Sequence, residues 1–266
     1  MMMERVDQRV LGALRLIDGV TRAPLSRSLL LSAGKLALTR NVSGCYVVTG
    51  AQGLERHTAA FSHPPAAPAL ASKNYTVAIH DPQNRYLPRV VVLRLPRDPD
   101  PANSGDADSL FWAVDVAMYP AATAVISHNW STIRAAVIRG AAPRTTPPAR
   151  GALLMVFDAA DGTRLAGGIA DERGEALVII PGVPVTRFAD EDDEDDDNGG
   201  HGGGHGGNDS PVVVNTLPVR LEVSLTPGAG WPVNPDILEQ NHEANRRLNI
   251  PMTLQAGRME KVVINI

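Results

Sequence analysis

The sequence predicts an all-β protein of two tandem antiparallel β-sandwiches, Ig- or transthyretin-like, with one short helix near the C-terminus and a disordered acidic loop. Three observations carry this expectation. Strand-length runs recur along most of the chain, among them 75–80 (YTVAIH), 89–95 (RVVVLRL) and 217–225 (LPVRLEVSL), and alternation of apolar and polar residues is what a half-buried strand requires. The 24 glycines and 21 prolines break these runs at short intervals, as turn-linked strands do. A turn of the form Asn/Asp-x-x-Gly feeding an apolar strand occurs twice, at 41–44 and at 171–174.

Taken in order, residues 1–8 are polar and read as an arm. A first strand over 10–17 (VLGALRLI) ends at Asp18-Gly19. Short strands are expected at 29–32 and 36–39, then the turn 40–44, then 45–49 (CYVVT) and a further run at 54–61. The prolines at 64, 65 and 68 mark a loop. The strand 75–80 is followed by Asp81-Pro82-Gln83-Asn84, a turn signal, and 89–95 closes a first sandwich over residues 9–96.

Residues 97–108 (RDPDPANSGDAD) have little to bury and read as a linker. The second sandwich is expected over 109–266, with strands at 110–118 (LFWAVDVAM) and 130–139 (WSTIRAAVIR). The stretch 151–182 then reads as strand, turn, strand, turn, strand. Gly162 and Gly174 sit where tight turns call for positive φ, which glycine adopts without steric cost. Residues 189–210 combine eight consecutive acids with GGHGGGHGGND; such a segment repels itself and reads as a disordered insertion. Residues 235–249 read as a helix, capped by Asn234, started by Pro235 and lined by Ile237, Leu238 and Leu248. A strand at 260–266 ends the chain.

Charge and cysteine content bound the function. The formal net charge is −4, and leaving out the eight acids at 190–197 leaves +4 on the remainder. No concentrated basic face emerges, so no nucleic-acid partner is expected. Cys45 is the single cysteine, which excludes an intrachain disulfide. The N-terminal residues lack a signal-peptide pattern, and no apolar run approaches a membrane span. The expectation is a cytoplasmic protein, placed within an assembled particle if it is a component of one.

The segment 40–48 parallels 170–178: each has Asn or Asp three residues before Gly and then an alternating strand. Upstream of each lies an apolar strand ending in Gly, at Gly19 and at Gly140. Two related sandwiches explain the match; so would two unrelated ones sharing turn chemistry. In Gly151, Ala152, Val156, Asp161, Gly162, Asp171 and Gly174 the second half resembles the carboxypeptidase regulatory-like, transthyretin-like β-sandwich. The resemblance covers 130–266 well and 9–96 weakly. It implies a non-catalytic structural unit. The signature is also similar in style to accessory β-proteins of phage-tail-like contractile injection systems, which would imply protein partners in a larger assembly.

Chemistry-bearing constellations are sparse. His201 and His205, beside Asp195, Asp196 and Asp197, form a weak candidate for a divalent metal, with no preorganised geometry. Cys45 reads as a structural thiol and His80-Asp81 as a strand end entering a turn. No nucleophile elbow, P-loop or dinucleotide fingerprint is present. No cofactor and no catalytic residue are assigned. Phe111, Trp112, Trp130 and Trp231 are the interaction candidates; the first three flank the domain junction, and Trp231 precedes the helix. The preferred expectation is a non-enzymatic structural or protein-interaction module. The alternatives are a carbohydrate- or ligand-binding sandwich, and a metal-responsive protein acting through the acidic His/Gly loop.

Overall fold

The computed structural model describes residues 9–60, 65–140, 147–183, 186–187, 213–214 and 216–266. The first part of the chain gives β1 (Gly12–Asp18), β2 (Leu30–Ser32), β3 (Leu36–Arg40), β4 (Tyr46–Ala51), a helical turn α1 (Glu55–Ala59), β5 (Lys73–His80), β6 (Arg89–Leu95) and β7 (Val114–Met118). The second gives β8 (Ser131–Ile138), β9 (Leu153–Asp158), β10 (Arg164–Ile169) and β11 (Glu175–Ile180). It continues through β12 (Thr186–Arg187), β13 (Val213–Val214), β14 (Thr216–Ser224), α2 (Pro235–Gln240), β15 (Arg246–Gln255) and β16 (Met259–Asn265). The all-β expectation holds.

Strand pairing forms two sandwiches. In the first, sheet β3-β4-β1-β7 faces sheet β2-β5-β6 across a core that includes Leu14, Val48, Val77, Leu93 and Met118. In the second, β11-β8-β16 faces β10-β9-β14-β15 around Ile133, Leu154, Val178 and Leu221. Aliphatic side chains fill most of both cores, with Tyr46 and Tyr75 as buried aromatic members of the first. β12 and β13 pair as a separate ribbon.

The two sandwiches share one strand order. The opening strand, β1 or β8, pairs antiparallel with β4 or β11 and parallel with the closing strand, β7 or β16. The opposite sheet pairs β2-β5-β6 in one and β9-β14-β15 in the other. The parallel pair closes alike in both: Gly19 N–H donates to Met118 O at 2.9 Å, and Gly140 N–H donates to Ile266 O at 2.9 Å. The two Asn/Asp turns also coincide. Asn41 N–H donates to Cys45 O at 2.8 Å, and Asp171 N–H to Glu175 O at 2.9 Å. The Asn41 and Asp171 side-chain oxygens accept from the N–H of Cys45 and Glu175 at 2.8 and 2.9 Å. Gly44 and Gly174 have φ of 82° and 80°. One difference stands out: β3 pairs with β4, whereas its counterpart β10 crosses to the other sheet and pairs with β9.

Several local expectations are corrected. The run at 54–61 is not a strand, because Leu54 and His57 are buried while Glu55 and Arg56 between them are exposed. That is a spacing of three, and α1 forms there. The helix expected over 235–249 stops at Gln240; Asn234 caps it through Asp236 N–H at 3.1 Å, but Leu248 belongs to β15, opposite Val223. Residues 110–113 do not extend β7. Leu110 N–H donates to Asp98 O at 2.7 Å and Phe111 N–H to Ser109 Oγ at 3.3 Å, which turns the chain before the strand. Residues 97–108, expected to be a linker, fold back against the first sandwich. Arg97 donates from Nε to Ser109 O at 3.0 Å and from Nη2 to Ala107 O at 2.5 Å. β7, which follows them, completes the first sheet. The arm 1–8 and the insertion 189–210 lie outside the described residues.

Candidate functional site at the junction of the two sandwiches

β6 begins at Arg89. This residue is in phase with the buried Val91, Leu93 and Leu95, so its side chain is delivered to the interior at the lower end of the first sandwich. Only 2% of Arg89 is exposed. Its Nη1 donates to Ala117 O, and its Nη2 donates to Asp236 Oδ2 of α2 at 2.6 Å. Burial lowers the guanidinium's affinity for its proton and Asp236 opposes this, leaving a net downward shift. Backbone pairing runs alongside, with Val90 N–H donating to Val233 O at 2.9 Å.

A second ionic group lies beside it. Glu239, one helical turn on from Asp236, receives both arms of Arg164 at 2.7 and 2.8 Å and the hydroxyl of Tyr119. Burial pushes the Glu239 carboxyl up, but the Arg164 and Tyr119 hydrogen bonds outweigh it and hold the group below its ordinary value. The Tyr119 hydroxyl is raised, first by burial and then by Glu239. Beneath these pairs Leu87 and Tyr119 meet Leu153, Met155 and Ile169 on the outer face of the β9–β10 sheet, with Leu238 of α2 in the same apolar cluster. α2 thus packs on one sandwich and bonds to the other.

The connection after α2 carries a polar cluster. His242 approaches Glu222 through Nε2 at 2.7 Å and Ser224 Oγ through Nδ1 at 3.2 Å. Arg220 and Arg246 also donate to Glu222, at 2.9 and 3.2 Å. The Glu222 carboxyl is raised by burial, but His242 and Arg246 lower it further than burial raises it. The residue types are those of a Ser-His-acid triad, with the imidazole nitrogens exchanged: Nε2 faces the acid and Nδ1 the serine. Glu222, Ser224 and His242 are nevertheless exposed by only 3, 3 and 4%. A nucleophile must reach a substrate carbonyl, and this serine is sealed beneath its own chain. The cluster ties the 226–245 connection to β14.

The sequence-derived candidates divide. Trp231 packs against the junction cluster, and Trp130 lines a small cleft beside Arg27 and Tyr86. Phe111 and Trp112 lie before the start of β7, whereas the junction is at its far end. Each is 57% exposed, and Trp112 Nε1 donates to Ser104 O. The expectation that they flank the junction is corrected, because β7 runs from them towards it. His201, His205, Asp195, Asp196 and Asp197 fall outside the described residues; among the described residues no group of three His, Cys, Asp or Glu is placed to hold a metal. The Asp81 carboxylate is fully buried as a turn acceptor. It takes N–H bonds from Gln83, Arg85 and Tyr86 and an ion pair from Arg27.

Sequence reasoning missed Arg89, Tyr119, Arg164, Asp236 and Glu239. A usable signal existed for Arg89 alone, a cation in phase with the buried face of its strand.

No family model matches the chain, and no curated protein matches it. Among solved structures it is similar to the Bacillus anthracis TIE protein, at 10% identity and a TM-score of 0.28, over 97% of this chain and 34% of that one. It is also similar to GBS52, the minor pilin of Streptococcus agalactiae, at 8% identity and a TM-score of 0.27, over 96% and 94%. The chain thus spans about a third of the length of the first. Likenesses this distant carry no argument about its role.

Proposed function

We propose that this chain is a non-enzymatic structural or protein-interaction module whose two sandwiches, divided after β7, are held in one fixed orientation. The observation that carries the reading is the junction. Its ion pairs, apolar cluster and backbone bonds fix two sandwiches against each other, and the one triad-like cluster nearby is sealed and spent on the same task. A docking module keeps its adhesive groups outside such a frame. Phe111 and Trp112 are exposed on one loop. On the edge strand β16, Arg258 O and Ile266 N–H bond inward to β8, so by strand alternation Met259, Lys261, Val263 and Asn265 turn their backbone groups outward. The partners proposed are proteins of a larger assembly. A contractile injection particle finds no support in the comparisons. No helix among the described residues is long and apolar enough to cross a membrane.

Cross-linking in lysate of the native source, read by mass spectrometry, tests the proposal with the unaltered chain and a Phe111→Ser/Trp112→Ser variant. Cross-links to defined proteins that the variant loses support the reading. A chain that cross-links to nothing, or turns over a substrate, contradicts it.

A further inference from the structure

On one flank of the junction the two sandwiches enclose a cleft of about 420 Å³, within the size range of small-molecule sites, ~300–1,000 Å³. One wall belongs to the first sandwich: His80 at the end of β5, Asn84 in the turn and Tyr86. The other belongs to the second: the 171–173 turn and Trp231. Leu87, Ala121 and Ala122 form a buried apolar floor.

We propose that this cleft binds an uncharged carbohydrate, a short neutral oligosaccharide or its terminal sugars. Three features select that class. The walls carry aromatic side chains that are already held. Trp231 is half-buried against the junction cluster and Tyr86 is tied by its hydroxyl to Asp18 at 2.6 Å, so neither loses much freedom on binding. Sugar rings present C–H faces that pack on such aromatic surfaces. Second, the rim has spare hydrogen-bonding capacity. The side chains of His80, Asn84, Thr123 and Glu172 line the cleft and, among the described residues, make no hydrogen bond within the chain. Together they offer amide, imidazole, hydroxyl and carboxylate groups, which hydroxyls of a sugar can both donate to and accept from. Third, the charge is nearly spent: Arg173 pairs with Asp171 at 3.1 Å, leaving Glu172 as the unpaired charge. With Asp171 and Glu172 against Arg173, the balance of charge on this wall is acidic and disfavours a phosphate or an acidic peptide.

The cleft follows from how the repeats differ in surroundings. The turn that supplies Asp171 and Arg173 has a counterpart at 41–44, where Val42 stands fully in solvent. Only the second copy has a facing wall, and the Arg89–Asp236 pair with the Val90–Val233 backbone bond keeps that wall in place.

A glycan array followed by isothermal titration with chitotetraose, cellotetraose and maltotetraose tests the proposal on the full chain. The expected result is millimolar or tighter binding of at least one neutral glycan, weakened about ten-fold or more in Trp231→Ala. The same loss is expected in Asn84→Gly/Glu172→Ala: glycine adopts the φ of 51° at position 84 without strain and Glu172 is exposed, so the melting temperature stays unchanged and binding is separated from folding. Retention of no neutral glycan overturns the proposal. So does retention of acidic glycans alone, or glycan binding that both variants leave unchanged.

Discussion

The turns at 41–44 and 171–174 have the same hydrogen bonds and the same glycine conformation, yet they live in different places. A Cβ on Gly44 would meet the Arg40 guanidinium at 3.3 Å, the far end of a flexible side chain, and backbone no nearer than Leu25 O at 4.0 Å. A Cβ on Gly174 would lie 2.4 Å from Val137 O and 3.1 Å from Pro148 Cβ. The first turn faces water; the second is packed under the 147–151 segment and forms a wall of the inter-sandwich cleft. What is repeated is the means of reversing the chain. What each copy does is set by its neighbours. The third strand makes the same point: β3 stays with its hairpin partner, while β10 crosses to the sheet whose outer face receives α2.

The largest effect should come from testing that difference. Gly174→Ala is expected to cost ~3–4 kcal/mol, combining the strain of positive φ with a backbone overlap. Gly44→Ala should cost about 1–2 kcal/mol, the strain alone. Urea unfolding of the two variants checks this, and equal costs would mean that the two turns share one environment.

Next in size is the asymmetry within the Arg89–Asp236 pair. Arg89 is buried, whereas the Asp236 side chain is 56% exposed. Asp236→Ala strands a buried cation and should destabilise by ~2–3 kcal/mol, while Arg89→Met, which removes the charge and keeps the volume, should cost only about 1 kcal/mol. Chemical denaturation of both variants decides between this order and its reverse.

These positions also show what was legible. Strands such as 89–95 and the two Asn/Asp turns could be read directly, because period-two alternation and a required positive φ are local properties. The partner of β7 could not be read, since a parallel pair joins Leu14 to Val114 with most of a sandwich between them. The junction was hidden for the same reason: Arg89 and Asp236 are 147 residues apart, and Tyr119 and Glu239 are 120 apart. An Asp and a Glu in an exposed-looking helical turn give no local sign of an ion pair. The overlong helix had a different cause. Ile237, Leu238 and Leu248 fit a helical face, but Leu248 satisfies the β15 pattern equally well, and pairing with β14 decides it.

A smaller, pH-dependent contrast follows from Asp81. Burial raises its carboxyl, but the N–H groups of Gln83, Arg85 and Tyr86 and the Arg27 ion pair outweigh that and leave it below the ordinary value. A depressed carboxyl contributes stability that is complete above the unfolded-state value, about pH 4, and is lost as pH falls through the folded-state value. Asp81→Asn should therefore flatten the decline in urea midpoint on acidification. An undiminished decline in urea titrations of Asp81→Asn at pH 3 to 5 would mean that this carboxylate does not carry the acid sensitivity.

Scanning calorimetry of the whole chain tests the fixed junction most directly. With α2 packed on one sandwich and bonded to the other, the unaltered chain should melt in one transition whose calorimetric and van't Hoff enthalpies agree. Leu238→Asp, which places a charge in the apolar cluster between the sandwiches, should split it in two. Two separate transitions in the unaltered chain would contradict a junction that holds the sandwiches as one body.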